Sequence, residues 1–184
     1  MSNCSITSGI GVTCDDLRKP GGLAKRVWIA NLDAFRTAID VTLETYITNL
    51  DFTTYASLYL FESTKFSHEY SWTQQKGDGG NVSYQVQLIM RLFNNDPTDD
   101  KAIEDLGVAD VVAIVQTYSN EFLILGAGNG MSAADGTQGG SGRNTGDATT
   151  SQITLQGAEQ YLPKRLLIGG SAANTLSALN AMVA

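Results

Sequence analysis

The chain has few of the residues that bind structural metals or form disulfides. Its 184 residues include two cysteines, Cys4 and Cys14, and one histidine, His68. Two thiols and one imidazole are too few ligands for a structural zinc site without carboxylate help. The spacing of the cysteines allows a disulfide, but the cytoplasmic origin inferred below argues against one. We therefore expect no metal site and two ordinary thiols.

The chain also lacks a strongly basic segment and a long apolar one. Twelve lysines and arginines stand against nineteen aspartates and glutamates, which gives a net charge of −7. This balance excludes proteins that grip nucleic acid tightly, because such proteins neutralise phosphates with basic side chains. No apolar run reaches the roughly 20 residues that cross a bilayer, and the N-terminus lacks the pattern of a secretory signal. We expect a protein that is made in a cytoplasm, stays soluble and has no membrane partner.

Length and composition predict one domain. With 42% hydrophobic and 17% charged residues, the chain is typical of a globular protein that buries a sizeable core. We interpret residues 1–184 as a single domain with four distinctive segments. These are an N-terminal arm or loop (1–22), a long hairpin (66–93), a glycine-rich loop (126–150) and a C-terminal tail or short helix (171–184).

Two runs of alternating side chains define the hairpin. Aromatic residues and His68 alternate with polar residues over 66–73, and apolar residues alternate with polar ones over 84–92. A period of two is typical of a strand with one buried and one wet face. The connector, 74–81, holds glycines that can adopt positive φ. Each arm of about nine residues would span roughly 30 Å, so we expect the hairpin to reach beyond its own domain and a second subunit to cover it.

The remaining strand patterns are shorter. Residues 25–30, 55–61 and 152–156 read as single strands, the last of them the final clear strand, and 10–13 as a short one in the arm. The continuous apolar runs 111–115 and 122–125, separated by a Tyr-Ser-Asn turn, predict a tight, buried hairpin. Residues 34–50 fit either a helical stripe or strands and turns, because four threonines interrupt the apolar spacing.

An acidic cluster at 94–100 (NNDPTDD) has two interpretations. It resembles a set of calcium ligands, but an EF-hand loop would need glycine at its sixth position and glutamate at its twelfth. Asp96 can instead cap a helix whose first residue is Pro97, with Asp99 and Asp100 facing the positive end of the helix dipole. We favour this structural interpretation and expect the helix to run to about Leu106 and to end at Gly107.

A glycine motif, LGAGNG at 125–130, follows an apolar strand. A dinucleotide site needs glycine at the first, third and sixth positions and a helix that begins within the motif. The sixth position here is Met131, and the following residues are too rich in glycine for such a helix. We interpret the motif as a turn that ends a strand, and we expect no cofactor.

Catalytic arrangements are equally sparse. His68 would be the sole imidazole base, and strand alternation directs its neighbour Glu69 to the opposite face. The adjacent carboxylate pairs do not face each other on a helix or strand, so they imply no acid–base couple. The tryptophans and tyrosines could stack on bases, but without a basic groove they favour core and interface packing. We expect a protein without catalytic residues, that is, not an enzyme.

The second half of the chain resembles the tail tube proteins of long-tailed bacteriophages and the related tube subunits of contractile injection machines. The resemblance covers about the last 120 residues loosely and about 40 of them closely. Its most telling segments are EFLILG (121–126), GNGM (128–131), SG (141–142), GD (146–147) and TLQGAE (154–159). The chain departs from the family in the Ala-Gly pair before Asn129 and in its C-terminal tail.

The resemblance implies a mainly β fold, a barrel or sandwich with one flanking α-helix and the long protruding hairpin. It implies a structural virion subunit whose hexameric rings stack into a tail tube, assembled in the bacterial host cytoplasm. Its partners would be further copies of itself, other tail proteins, and DNA that passes through the lumen without specific binding. A terminator, hub or head–tail connector ring of the same fold is the alternative, and a monomeric β-sandwich binding module is the second. A small-molecule-binding enzyme that uses the 126–130 turn is a further hypothesis, tested by thermal shift with NAD, FAD or ATP.

The expected subunit interface lies on the hairpin, with the 134–150 loop contacting a neighbour. Its residues alternate along the two arms, so that they share one face of the ribbon. They are Phe66, His68, Tyr70, Trp72, Tyr84, Val86 and Leu88.

Overall fold

The computed structural model describes residues 20–38, 46–50, 57–93, 97–140 and 149–183, and these form two β-sheets with three α-helices. The strands are β1 (Leu23–Asn31), β2 (Tyr46–Ile47), β3 (Tyr59–Glu62), β4 (His68–Lys76), β5 (Val82–Leu92), β6 (Val111–Thr117), β7 (Phe122–Leu125), β8 (Ser132–Ala133), β9 (Gln138–Gly140), β10 (Thr150–Glu159) and β11 (Lys164–Leu166). The helices are α1 (Leu32–Ala38), α2 (Pro97–Val108) and α3 (Ala172–Ala181), and a short 3-10 helix spans Ile168–Gly170.

The six-stranded sheet is buried on both faces. Its order is β2-β11-β7-β6-β1-β3, antiparallel except for the parallel pair of β11 and β2. Alternate side chains of β6 enter two different clusters: Val111, Ala113 and Val115 one, Val112 and Ile114 the other. Continuous apolar runs are what a strand covered on both sides requires. The uninterrupted sequences of β6 and β7 are thus explained by two covering layers.

The five-stranded sheet covers one of these faces. Its order is β4-β5-β10-β8, with β9 also paired to β10. The side chains of Leu88 and Met90 on β5 and of Ile153 and Leu155 on β10 join the cluster between the sheets. We call this side of the sheet its inner face and the opposite side its outer face.

Helices cover the other face of the six-stranded sheet. Phe35 of α1 and Leu179 of α3 are fully buried there with Trp28 of β1. The Ser171 hydroxyl caps α3 by accepting the Asn174 backbone N–H at 3.1 Å, an arrangement that satisfies one of the four orphan donors of a helix start. The remaining helix, α2, places Leu106 in the cluster between the sheets. The fold therefore has three layers, which are the five-stranded sheet, the six-stranded sheet, and α1 together with α3.

The expected mainly β sandwich with a long hairpin is confirmed, and so are the strands at 25–30, 111–115, 122–125 and 152–156, each with somewhat different ends. The expected flanking helix is confirmed as α2, and two further helices, α1 and α3, accompany it. Residues 34–50 contain both a helix and a strand. The final strand is β11, not 152–156, and the supposed loop at 126–150 contributes β8 and β9, since their backbone groups pair with β10.

Several boundaries of the hairpin and of α2 also differ from the predicted ones. The hairpin strand begins at His68, not Phe66, and its connector is 77–81. The α2 helix continues through Gly107 to Val108. The strand predicted at 10–13, most of the arm, the Asp96 cap and residues 141–148 lie outside the described residues, as does the first part of the strand predicted at 55–61.

His68 provides a test of the core. Its ring is buried, Nε2 lies 3.2 Å from the Lys25 carbonyl oxygen, and Nδ1 has no partner. Burial lowers the pKa of His68 below 6.5, although the Lys25 carbonyl acts in the opposite direction. The unfolded chain therefore binds a proton at a pH where the folded chain does not, so the free energy of unfolding should fall as the pH drops below about 6.5, by less than about 1.4 kcal/mol per pH unit.

Urea unfolding between pH 7.5 and 5.5 measures this effect, because most carboxylates titrate below that range. The control is His68→Gln, which keeps a donor for the Lys25 carbonyl but does not titrate. We expect the variant to lose this part of the pH dependence. Equal pH dependence in the two proteins would show that burial of His68 does not favour its neutral form.

Candidate subunit interface

The β4–β5 hairpin runs from a buried base to an exposed tip. Nine residue pairs join its strands, from His68–Met90 to Lys76–Val82. The turn at 77–81 closes with two backbone hydrogen bonds of 2.9 Å, and Gly80 adopts the positive φ of 82° that favours glycine. All residues from 71 to 82 are exposed. The distal part of the ribbon thus lies beyond the layers that bury its base.

The inner face of this distal part carries the exposed Trp72 and Val82 and the partly exposed Tyr84, together with the polar side chains of Gln74 and Lys76. Trp72 is 46% exposed and Val82 is 41% exposed. The Trp72 ring meets the Tyr84 ring edge-on, with centroids 5.9 Å apart and an interplanar angle of 74°. Lys76 stands directly opposite Val82 on the same face. We call Trp72, Lys76, Val82 and Tyr84 the hairpin patch.

Four of the seven predicted interface residues face the protein's own core instead. Val86 and Leu88 are fully buried between the sheets, and His68 is nearly so. Tyr70 is half-buried against the same cluster, and this burial raises the pKa of its hydroxyl. These side chains offer little or no surface to a neighbour in this fold. Trp72 and Tyr84 retain exposed surface, because they lie on the distal part of the ribbon.

Phe66, the seventh, lies outside the strand. Its φ is 64°, a left-handed conformation that is unusual for a bulky residue, and its side chain is 82% exposed. The ring packs against Tyr118 at 5.4 Å, and the Phe66 N–H donates to the Tyr118 hydroxyl at 3.3 Å. Such backbone strain costs about 1–3 kcal/mol and is concentrated at functional sites. Phe66 therefore remains a candidate contact residue, at the opposite end of β4 from the hairpin patch.

The outer face of the five-stranded sheet has a different character. Strand register places mainly uncharged polar side chains there. They are Ser71, Thr73, Gln75, Ser83, Gln85, Gln87, Gln152 and Gln156. Glu69 and Arg91 are the charged residues that β4 and β5 add to this face. The hairpin thus combines a distal inner face that exposes aromatic and aliphatic side chains beside Gln74 and Lys76 with a mainly polar outer face that carries one acidic and one basic residue.

The glycine motif after β7 is a turn fastened to β10. The Glu159 carboxylate accepts the backbone N–H of Asn129 at 2.9 Å and that of Gly128 at 3.1 Å. The Asn129 side chain donates to the Ala158 carbonyl at 2.7 Å, and Arg36 donates to the Gly128 carbonyl at 3.0 Å. These N–H groups are the kind that bind phosphate in nucleotide sites, but here the protein's own carboxylate occupies them.

Burial and hydrogen bonding act against each other at Glu159. Burial raises the pKa of its carboxyl above 4.5, whereas the backbone N–H groups of Asn129 and Gly128 lower it. The sequence showed Glu159 only as part of the TLQGAE resemblance. Its role as the acceptor for the turn depends on where the end of β10 lies in the fold. The sequence does not reveal that position, because it does not show that Glu159 pairs with Tyr84 beside the turn.

Neither a metal centre nor a membrane helix is found in the part of the chain described here. Within that part, His68 and the carboxylates form no group of three that could hold a metal ion. None of its helices is both long and apolar enough to cross a bilayer. Comparison of the chain with protein-family models, curated proteins and solved structures finds no match.

Replacing Glu159 by alanine tests the fastening of the turn. Glu159→Ala leaves the Gly128 and Asn129 N–H groups without their acceptor, so we expect the free energy of unfolding to fall by about 1–3 kcal/mol. Urea unfolding measures the change. Glu69→Ala, at an exposed glutamate of the outer face, is the control and should be nearly neutral. Equal stability of the two variants would contradict the role of Glu159.

Gly157 tests the packing of the same turn on β10. A Cβ atom at this position would collide with the Gly130 carbonyl and would lie 3.1 Å from the Met131 side chain. Since the collision is with backbone, we expect Gly157→Ala to reduce the free energy of unfolding by about 1–3 kcal/mol. Gly140→Ala, in a strand of the same sheet with open space at its Cβ, is the matched control for urea unfolding. A Gly157→Ala protein as stable as this control would refute the predicted contact.

Proposed function

We propose that this protein is a non-enzymatic structural subunit whose copies close into rings, and that the rings stack into a tube through which DNA passes. In this proposal the subunit belongs to a bacteriophage tail, its rings are hexameric, and it assembles in the host cytoplasm before joining the virion. Its partners are further copies of itself and other tail proteins. The proposal combines the sequence resemblance with the surface chemistry of the hairpin.

The observation that carries the proposal is the distal hairpin with its hairpin patch and a free strand edge. β4 pairs with β5 on one side, and within the described ranges no strand pairs with its other edge. Unpaired backbone groups beside exposed aromatic residues form a template for association with another chain. When copies close into a ring, each such edge can be covered by a neighbour, which leaves no free ends.

The polar outer face supports the transport of DNA. A wall that binds phosphate must release each contact as the DNA advances, since every lysine or arginine that neutralises a phosphate adds to affinity. The side chains that β4 and β5 direct outward include a single basic residue, Arg91, beside Glu69, Ile89, serines, threonine and glutamines. The whole chain carries a net charge of −7. Such a surface supports passage of DNA without adhesion.

Negative-stain electron microscopy of the purified protein at several concentrations, with sedimentation velocity, tests assembly. We expect rings with a central hole, or tubes. Rings that do not stack would favour a terminator, hub or connector of the same fold. A monodisperse monomer at every concentration would contradict ring formation by this protein alone.

A double variant tests whether the hairpin patch is needed. Trp72→Glu with Val82→Glu places two charges on the patch without disturbing the core, whereas substitution of Tyr70 would disturb packed atoms. We expect a folded monomer by circular dichroism and sedimentation, because a desolvated, unpaired charge is costly at an interface. Thr73→Glu with Ser83→Glu puts the same two charges on the opposite face and should still assemble. Rings formed by the double variant would exclude the patch from the interface.

A further inference from the structure

An apolar groove lies between β3 and α2, away from the hairpin patch. Two adjoining cavities of about 350 and 390 Å³ share Tyr59 and Phe61 of β3 and Ala102 of α2 as lining residues. Tyr59 is 49% exposed, and Phe93, which lines the first cavity, is 39% exposed. Apolar surface concentrated in an open concave site is typical of a place where a partner binds.

The position of β3 explains why the groove is open. β3 pairs with β1 on one side, and no other strand in the described part of the chain pairs with it. α2 directs Leu106 into the core and places the half-buried Ile103 beside it. The space between the edge strand and the helix therefore exposes side chains of both.

The groove and the hairpin patch lie at opposite ends of one strand. Val82, in the patch, is the first residue of β5, and Leu92, in the groove lining, is the last. Ten steps of about 3.3 Å put Val82 roughly 33 Å from Leu92, and Trp72, which pairs with Val86, lies about 20 Å from Leu92 along the strand. A rigid, paired strand cannot fold back on itself, so the two surfaces of one copy cannot meet.

The two surfaces are complementary in charge. The patch carries Lys76 opposite Val82. The helix that forms one wall of the groove carries four carboxylates and one ammonium group. They are Asp99, Asp100, Glu104 and Asp105, with Lys101. Of the carboxylates that line the groove, Asp105 pairs with Lys101 and Glu62 pairs with Lys25 and Arg26. The negative charge that could attract Lys76 is therefore the excess on α2, where four carboxylates outnumber one lysine.

We infer that the hairpin patch of one copy binds in the β3–α2 groove of the next copy, which makes a head-to-tail contact. This inference rests on the proposed ring function and names the surfaces that form its junctions. Clefts of about 300–1,000 Å³ bury drug-sized molecules, so the adjoining cavities have room for an indole or phenol ring. Tryptophan and tyrosine are also the side chains that most often dominate binding energy at interfaces. Because the two surfaces differ, repetition of the contact closes a ring when the rotation allows it.

Two complementary variants test the contact. The first, Trp72→Glu with Val82→Glu, blocks the patch and leaves the groove intact. The second, Ala102→Arg, fills the groove and leaves the patch intact. Each variant alone has one blocked surface at every junction. We therefore expect the concentration at which half of the protein is assembled to rise about 30-fold or more. Sedimentation velocity on the full-length proteins measures this, and circular dichroism verifies folding.

An equimolar mixture of the two variants gives the decisive result. One junction can still form, between the intact patch of the Ala102→Arg protein and the intact groove of the other. We expect a one-to-one dimer of twice the monomer mass and no larger species. The controls Thr73→Glu with Ser83→Glu and Val108→Arg place the same charges on the opposite hairpin face and outside the groove lining, and both should assemble as the wild type does.

The other outcomes separate this inference from the proposed function. If the wild type forms rings and the Ala102→Arg protein does too, the ring function stands and the groove contact is wrong. If both variants are monomeric and their mixture stays monomeric, the patch and the groove are not partners, and the groove binds another segment or protein. A wild type that is monomeric at every concentration overturns the contact together with the ring.

Discussion

β5 and β10 pair antiparallel over nine consecutive residue pairs, from Leu92–Ser151 to Tyr84–Glu159. This ladder determines which side chains of both strands face the core, and it carries the hairpin outward as far as Tyr84. It also places Gly157 and Glu159 on the inner face beside Val86 and Tyr84. The absent side chain of Gly157 leaves space for the Gly130 carbonyl, and the Glu159 carboxylate holds the turn that contains it. A one-residue shift would reverse every face and remove both contacts.

The periodic parts of the chain could be predicted because their patterns report directly on burial. Alternation along 84–92 predicted one buried face, and the continuous apolar run 111–115 predicted a strand covered on both sides. The candidate site was predicted only in part. Alternation places Trp72 and Val86 on the same face, but it does not tell how far the opposing layer extends. The structure buries Val86 and exposes Trp72, so interface and core residues on one strand could not be separated from the sequence.

The remaining errors have a common physical origin. β8, β9 and β11 are short strands without a hydrophobic period, and their backbone partners in β10 and β7 create them. β-propensity is weak beside such tertiary pairing. At 34–50, threonines obscured a helix that forms because Leu32 and Phe35 are buried against the six-stranded sheet. The local sequence gives no information on where the surface that buries these side chains lies.

The charges on each copy permit the head-to-tail contact even though the chain as a whole is acidic. Each copy carries a net charge of −7, so whole copies repel. A chain of this length has a radius of gyration of about 16 Å, which puts the centres of adjacent copies roughly 30 Å apart. At physiological ionic strength the Debye length is about 8 Å, and repulsion over that distance is largely screened.

Charges in direct contact across an interface are screened much less than charges roughly 30 Å apart. In the head-to-tail arrangement, Lys76 lies beside the acidic wall of the neighbouring α2, and this local attraction persists at salt concentrations that suppress the repulsion. At about 0.01 M salt the Debye length rises to about 30 Å, and the repulsion between copies returns. Moderate salt therefore favours assembly through this junction. A protein that adheres to DNA through basic side chains has the opposite dependence, because its affinity falls steadily as salt increases.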